Sequence, residues 1–138
     1  MKDRFRFRVW DKKQMIYDAE FAYDTMTMNN GLLIGNNKCF QCDYFGEYLE
    51  YPEDYTVMQC TGLKDKNGTL IYEGDILKAY YENSDTGIIE FDYVPVGFDD
   101  KAAAFYLGNK HREFIADGTF IPEEYEVAGN IYENEGLL

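Results

Sequence analysis

The chain has 138 residues, of which 13 are basic and 26 are acidic, so its formal net charge at neutral pH is −13. Hydrophobic residues make up 46% of the chain and aromatic residues 17%, which excludes a disordered polyelectrolyte. Its apolar runs are far shorter than the roughly 20 residues of a membrane-spanning helix. We therefore expect one small folded unit over residues 1–138, without a membrane segment.

The charge is distributed unevenly along the chain. Residues 1–13 carry six basic and two acidic side chains, whereas residues 70–138 carry four basic and fifteen acidic ones. An acidic surface repels nucleic-acid phosphates and attracts basic partners. We expect the basic N-terminal segment to lie against acidic residues of the same chain or of a neighbouring copy, with an anion-binding strand and a solvated surface as alternatives.

The first 56 residues have a weak extended pattern. Arginine and apolar side chains alternate over residues 4–9, which predicts a β-strand with one cationic face and one apolar face. The arginines of that face are Arg4, Arg6 and Arg8. A polar break at 11–14 and extended-favouring residues after it predict a hairpin over 4–18. Turn residues on both sides of 32–34 predict a further short strand there.

Residues 57–138 have a clearer β pattern. Short strands are expected at 56–61, 70–72, 76–81, 88–94, 103–107, 113–115 and 125–132. Asp65–Gly68 is a hairpin-turn signal, Pro95 is expected to end the strand before it, and Pro122 is expected to start one short helical turn. Many short strands without a helical period predict a mainly β fold with at most one or two short helices.

Three short motifs stand out in this β-rich pattern. They are Arg8–Lys12 followed by Met15, Met58–Gly68 running into Ile71–Leu77, and Gly129–Asn134. In this order they resemble the YopX family of small phage and prophage proteins, although Glu135 stands where that family usually has proline. The resemblance implies an N-terminal β-hairpin subdomain over 1–56, an SH3-like β-barrel subdomain over 57–138, and no established activity.

The glycines of these motifs have a structural interpretation. Gly62, Gly68, Gly74 and Gly129 are expected where a small barrel needs a sharp corner or a positive φ. The carboxylate of Asp75 is expected to accept hydrogen bonds from nearby backbone amides in a turn.

The three cysteines are Cys39, Cys42 and Cys60. Cys39 and Cys42 have the spacing of a zinc knuckle or a redox dithiol, but a structural zinc site needs four ligands. Only Cys60 and the single histidine, His111, remain to complete such a site. We therefore expect ordinary reduced cysteines and no metal. Together with a charged N-terminus that lacks a signal-peptide pattern, this predicts the cytoplasm of a bacterial host cell.

The other candidates for chemistry are weak. His111 has no nucleophile motif beside it, and the acidic pairs Asp99–Asp100 and Glu123–Glu124 are expected by chance in so acidic a chain. The turn at Asp65 lacks the acidic ligand that a calcium loop requires at its twelfth position. We expect no enzyme, no cofactor, and no catalytic, cofactor-binding or metal-binding residue.

The remaining features favour a protein that acts through its surface. We expect a non-enzymatic protein-interaction module that binds an unidentified host or phage protein. Self-association into a homo-oligomer is a separate expectation. Surplus tyrosines in 44–55 and 80–93 are candidates for the contact surface. The alternatives are an acidic DNA mimic that inhibits a host DNA-binding protein, and a nucleic-acid-binding barrel that would need Arg4, Arg6 and Arg8 on an exposed strip.

Overall fold

A computed structural model describes residues 6–17, 26–29, 32–35, 56–108, 112–115 and 120–138. The described residues are mainly β, as predicted, and their paired strands are antiparallel. The chain divides into two compact units, Arg6–Gln59 and Cys60–Leu138, which we call the N-terminal and C-terminal units.

The N-terminal unit contains the predicted hairpin. Strand β1 (Phe7–Trp10) pairs with β2 (Met15–Ile16), and the Asp11 carboxylate closes their turn by accepting hydrogen bonds from the amides of Lys13 and Gln14. The other edge of β1 pairs with residues 56–59, the first part of β5 (Thr56–Lys64). A second hairpin joins β3 (Met26–Asn29), which we did not predict, to β4 (Leu32–Gly35), which confirms the strand at 32–34.

The prediction of a cationic face on β1 is wrong at Arg8. Both Arg8 and its neighbour Val9 are buried, so β1 is covered on both faces at these positions. The Arg8 guanidinium lies 5.7 Å from the ring of Tyr17 and donates a hydrogen bond to the Tyr17 hydroxyl at 3.3 Å. A phenol that offers both a π face and an acceptor oxygen compensates part of the cost of burying the charge.

The C-terminal unit is built from antiparallel strands. The second part of β5 pairs with β6 (Leu70–Tyr72), and a five-stranded sheet has the order β10-β9-β8-β7-β11. Its strands are β7 (Asp75–Glu82), β8 (Ile89–Asp99), β9 (Ala104–Leu107), β10 (Glu113–Phe114) and β11 (Tyr125–Asn130). Helical structure in the described residues is limited to two 3-10 turns, Pro122–Glu124 at the predicted position and Glu135–Leu137.

The core of this unit is small and aliphatic. Its buried members are Ile71, Leu77, Val96 and Leu107, and half-buried side chains from β5, β8 and β11 pack around them. Complete burial of each such side chain contributes about 1.5–3 kcal/mol to stability. The core therefore fixes the inner halves of β7 and β8, from which the rest of these two strands extends.

Pro95 does not end β8, contrary to our prediction. The strand continues to Asp99, and Pro95 is the last residue that pairs with β7, opposite Ile76. From Val96 onward β8 pairs with β9. A proline lacks the amide that a ladder requires, and it is tolerated here because it stands where the strand changes partners.

Candidate interaction surface

The turn at Asp65 is a hairpin turn, as predicted, and it also reaches across the C-terminal unit. The buried Asp65 carboxylate accepts hydrogen bonds from the backbone amides of Asn67 and Thr69 at 2.9 Å and of Val127 at 2.8 Å. The Lys66 amide donates to the carbonyl of Tyr125. These bonds tie the β5–β6 turn to β11, so this motif serves the fold.

The second motif residue, Asp75, is also engaged by backbone. Its Oδ2 accepts a hydrogen bond from the Tyr72 amide at 2.8 Å across a turn in which Gly74 has a φ of 87°. The side chain of Asp75 is buried. The predicted turn role of Asp75 is therefore confirmed, and so is the positive φ expected at Gly74.

The third motif, Gly129–Asn134, forms a turn that is held by hydrogen bonds within the motif. Asn130 is buried and its Oδ1 accepts hydrogen bonds from the amides of Tyr132 and Glu133, at 3.0 and 2.9 Å. Gly129 lies beside a β-bulge, where the side chain of Asn134 occupies the space that a Cβ would need. Close approach, not a positive φ, thus requires glycine at this position.

The sequence candidates for metal or catalytic chemistry do not converge in the part of the chain that the structure describes. Cys39, Cys42 and His111 lie outside the described residues, and Cys60 is a buried thiol within hydrogen-bonding distance of the Ile71 carbonyl. Among the described residues no three His, Cys, Asp or Glu side chains are placed to hold a metal ion. No ligand set can therefore be assembled from the described residues.

The acidic pairs belong to turns. The Asp99 carboxylate accepts hydrogen bonds from the amides of Lys101 and Ala102 and forms a 3.1 Å salt bridge with Arg112. Glu123 and Glu124 lie in the 3-10 turn that begins at Pro122.

A shallow depression beside β10, lined by Leu107, Glu113, Phe114, Ile115, Phe120 and Tyr125, has a volume of about 10 Å³, which is at most the space of one water molecule.

The outer ends of β7 and β8 form a different kind of surface. We call residues 80–93, which comprise these strand ends and their loop, the hairpin arm. Side chains on both faces of the arm are exposed, and among them are the exposed apolar residues Tyr81 (43% exposed), Ile88 (60%), Ile89 (63%) and Phe91 (42%). Single exposed apolar residues are common on protein surfaces, but a contiguous exposed cluster such as this one is typical of an interaction site.

One face of the arm has an aromatic row. The register places Tyr80 opposite Phe91 and Lys78 opposite Tyr93. The Phe91 ring lies 5.7 Å from that of Tyr80 and 5.3 Å from that of Tyr93, and the Lys78 ammonium lies 4.9 Å from its centroid. Such contacts hold the rings in place without covering them.

The same face is anchored to β11 by a hydrogen bond. The Tyr80 hydroxyl donates to the Glu126 carboxylate at 2.8 Å, which lowers the pKa of Glu126 and raises the pKa of Tyr80. Lys66 lies 3.8 Å from the same carboxylate and 4.6 Å from the Tyr80 ring. The base of the arm is therefore held to β11 by the hydrogen bond between Tyr80 and Glu126 and by the contacts that Lys66 makes with both side chains.

The opposite face of the arm is acidic. Tyr81 stands opposite Glu90, and its hydroxyl donates to the Glu90 carboxylate at 3.2 Å, which is the main reason that the pKa of Tyr81 is raised. Asp92 follows Glu90 on the same face. The sequence analysis identified the tyrosines of 80–93 but missed Ile88, Ile89 and Phe91, because alternating apolar and acidic residues are typical of a half-buried strand.

Together these observations define a small, mainly β protein whose distinctive motifs build turns and whose most exposed apolar side chains include a cluster on one hairpin. The chain belongs to the YopX family, because the family model described as YopX protein matches residues 6–138. Membership supports a phage-type protein. No curated protein matches the chain. It is similar to protein EF1440 from Enterococcus faecalis, whose crystal structure aligns at 25% identity over 96% of each chain with a TM-score of 0.51.

The helical segments of the described residues are short 3-10 turns. None of them is long and apolar enough to cross a bilayer.

Proposed function

We propose that this protein is a non-enzymatic protein-interaction module of a phage or prophage, which acts in the cytoplasm of a bacterial host and binds its partner through the hairpin arm. The observation that carries the proposal is the exposure of Ile88, Ile89 and Phe91 on an arm with solvent on both faces. Water contact with these side chains is unfavourable by about 25 cal/mol for each Å² of apolar surface, and a partner that covers them recovers this free energy.

The two alternative functions receive less support. A DNA mimic would present carboxylates in ordered rows, whereas the register distributes those of the arm over both faces, with Glu82 opposite Ile89 and Glu90 opposite Tyr81. A nucleic-acid-binding barrel would need an exposed arginine strip, and Arg8 is 1% exposed. The net charge of −13 also opposes binding to phosphates.

The proposal is tested by affinity capture from lysate of a bacterium that carries a related prophage. The bait is the wild-type chain, the double variant Ile89→Ser/Phe91→Ser, or the matched variant Ile121→Ser, which removes an exposed isoleucine elsewhere in the C-terminal unit. We expect the wild type and Ile121→Ser to retain the same proteins and the double variant to lose them. Equal capture by all three baits, with the double variant folded by circular dichroism, would contradict the proposal.

A further inference from the structure

We propose that the outer edge of β8, over Ile89–Tyr93, accepts an extended basic segment of the partner protein as an added β-strand. This inference rests on the proposed function and names the chemistry of its partner. An added strand would bond to the backbone of this edge and place its side chains against both faces of the arm.

The edge is open in the described structure. One side of β8 pairs with β7 from Ile89 to Pro95, and the other side pairs with β9 only from Val96 to Asp99. The Gly108 amide donates to the Pro95 carbonyl at the end of the β9 pairing. Among the described residues, no strand pairs with the outer side of Ile89–Val94. Such an edge presents a row of N–H and C=O groups to another chain.

The side chains along this edge define an alternating pattern. Ile89, Phe91 and Tyr93 share the aromatic face, whereas Glu90 and Asp92 share the acidic face. Directly opposite side chains on paired strands stabilise each other when both are apolar or when their charges are opposite. A strand that fits this edge therefore alternates apolar residues with lysine or arginine.

Charge complementarity selects a basic occupant. The segment from Ala79 to Asp100 contains six acidic residues and no basic one. Among the described residues, neither Glu90 nor Asp92 forms a salt bridge. Both side chains are exposed, and the Glu90 carboxylate accepts hydrogen bonds only from the neutral side chains of Tyr81 and Asn83 among the described residues. Their negative charge can therefore attract the cationic side chains of a partner and accelerate encounter.

A second copy of the chain fits this edge less well. A two-fold symmetric antiparallel pair centred on Phe91 would place Glu90 of each copy directly opposite Asp92 of the other. Like charges at directly opposite positions destabilise a strand pair.

The outer edge of β7 is also a weaker candidate, since only residues 80–82 extend beyond its pairing with β11, which ends at Tyr125 opposite Ala79.

The inference is tested with the full chain and a synthetic eleven-residue peptide of alternating lysine and valine. Binding is measured by fluorescence anisotropy and by amide chemical shifts at physiological salt. We expect saturable binding with the largest shifts at Ile89–Tyr93. A peptide of the same composition with its lysines and valines in two blocks should bind at least tenfold more weakly. Equal binding of both peptides would show non-specific attraction and overturn the inference.

A backbone probe separates strand addition from side-chain attraction. Two further peptides carry N-methyl groups on alternate residues, so that each has one of its two edges blocked while the charge is retained. One of them should lose binding at least tenfold and the other should bind like the parent peptide. Equal binding of both would overturn strand addition, and this experiment uses the wild-type chain throughout.

Charge-reversal variants test the basic partner. Glu90→Lys/Asp92→Lys should weaken peptide binding at least tenfold. Glu123→Lys/Glu124→Lys makes the same change in net charge at residues outside this edge and should change binding by less than about threefold. Similar losses in both variants would overturn the inference. So would saturable binding of a thymidine oligonucleotide at this edge, or a dimer that Glu90→Lys/Asp92→Lys disrupts.

The two proposals fail in distinguishable ways. Loss of partner capture by Ile89→Ser/Phe91→Ser without binding of any peptide to the edge rejects strand addition and leaves the interaction module standing. Unchanged capture by that variant rejects the proposed function itself.

Discussion

The Asp65 carboxylate accepts a hydrogen bond from the backbone amide of Val127 at 2.8 Å, across 62 residues of sequence. Asp65 is therefore a tertiary contact as well as a turn residue. It joins the β5–β6 turn to β11, which pairs with β7 and orders the base of the hairpin arm. The turn motif that makes the family recognisable thus also positions the surface that we propose to be functional.

The first prediction concerns this contact. Asp65→Ala should lower the free energy of unfolding by about 2–4 kcal/mol, since three backbone amides would lose their acceptor in a site with little access to water. Asp65→Asn should also destabilise the chain, because its amide group supplies one acceptor oxygen instead of two. Urea unfolding followed by circular dichroism measures both. The exposed Asp100→Ala serves as the control and should stay within about 0.5 kcal/mol of wild type; a similarly small effect of Asp65→Ala would refute this role.

The second prediction concerns Gly97, which faces Tyr106 on the neighbouring strand. The tyrosine ring lies over the glycine and occupies the space of a Cβ. Gly97→Ala should therefore displace the ring and cost about 1–3 kcal/mol in unfolding experiments. Gly136→Ala, where no heavy atom lies within 4 Å of the new Cβ, is the matched control. If the two substitutions had equal effects, the Tyr106 packing would not constrain this position.

The third prediction concerns pH. The hydrogen bond from Tyr80 lowers the pKa of Glu126 below its ordinary value of 4.5. The stability that this bond gives the folded chain is therefore present above pH 4.5 and is lost as the pH falls through the lowered pKa. The pKa of Tyr80 is raised above 10.0 mainly by the same bond, so that contribution is present below pH 10.0 and is lost as the pH rises through the raised pKa.

Removal of the Glu126 charge tests the expected loss of stability at both low pH and high pH. Glu126→Gln should reduce the loss of stability both below pH 4.5 and above pH 10.0, as measured by urea midpoints across the pH range. The control is Glu135→Gln, whose side chain makes no hydrogen bond in the described part of the chain. Unchanged slopes at both ends in Glu126→Gln would show that this hydrogen bond is not formed in solution.

The fourth prediction concerns the dynamics of the hairpin arm. Ile76 and Leu77 are completely buried, whereas residues 81–92 have no core on either face. Amide hydrogen exchange of the free protein should therefore be about 100-fold or more faster in the arm than at these two residues, because the arm opens without unfolding the core. Equal protection in both places would mean that the arm is already covered in solution.

Local patterns were sufficient for much of the fold. Strand β6 matches its prediction at Leu70–Tyr72, and the turn at Asp65 and the helical turn at Pro122 are where turn chemistry placed them. The errors arise from tertiary context. Arg8 is buried, and its guanidinium contacts Tyr17, which lies outside the alternating segment 4–9. The alternation contains no information about such a neighbour.

The candidate surface was predicted only in part. The tyrosines of 80–93 indicated a contact region, but the exposure of Ile89 and Phe91 depends on where β9 and β11 stop pairing. The change of partners at Pro95 leaves the outer side of β8 open, and a proline in sequence indicated a strand end instead. Pairing limits of this kind are set by the register of distant strands.

Site-specific photo-crosslinking in cells tests whether the hairpin arm is the element that binds the partner. A photoreactive phenylalanine analogue is placed at Phe91 in one variant and at the exposed Ile121 in another, and adducts are identified after irradiation of prophage-carrying bacteria. We expect a discrete adduct from position 91, which the substitution Ile89→Ser abolishes, and none from position 121. Adducts at position 121 alone, or none at position 91 in cells that express the folded protein, would contradict the claim that the hairpin arm is the binding element.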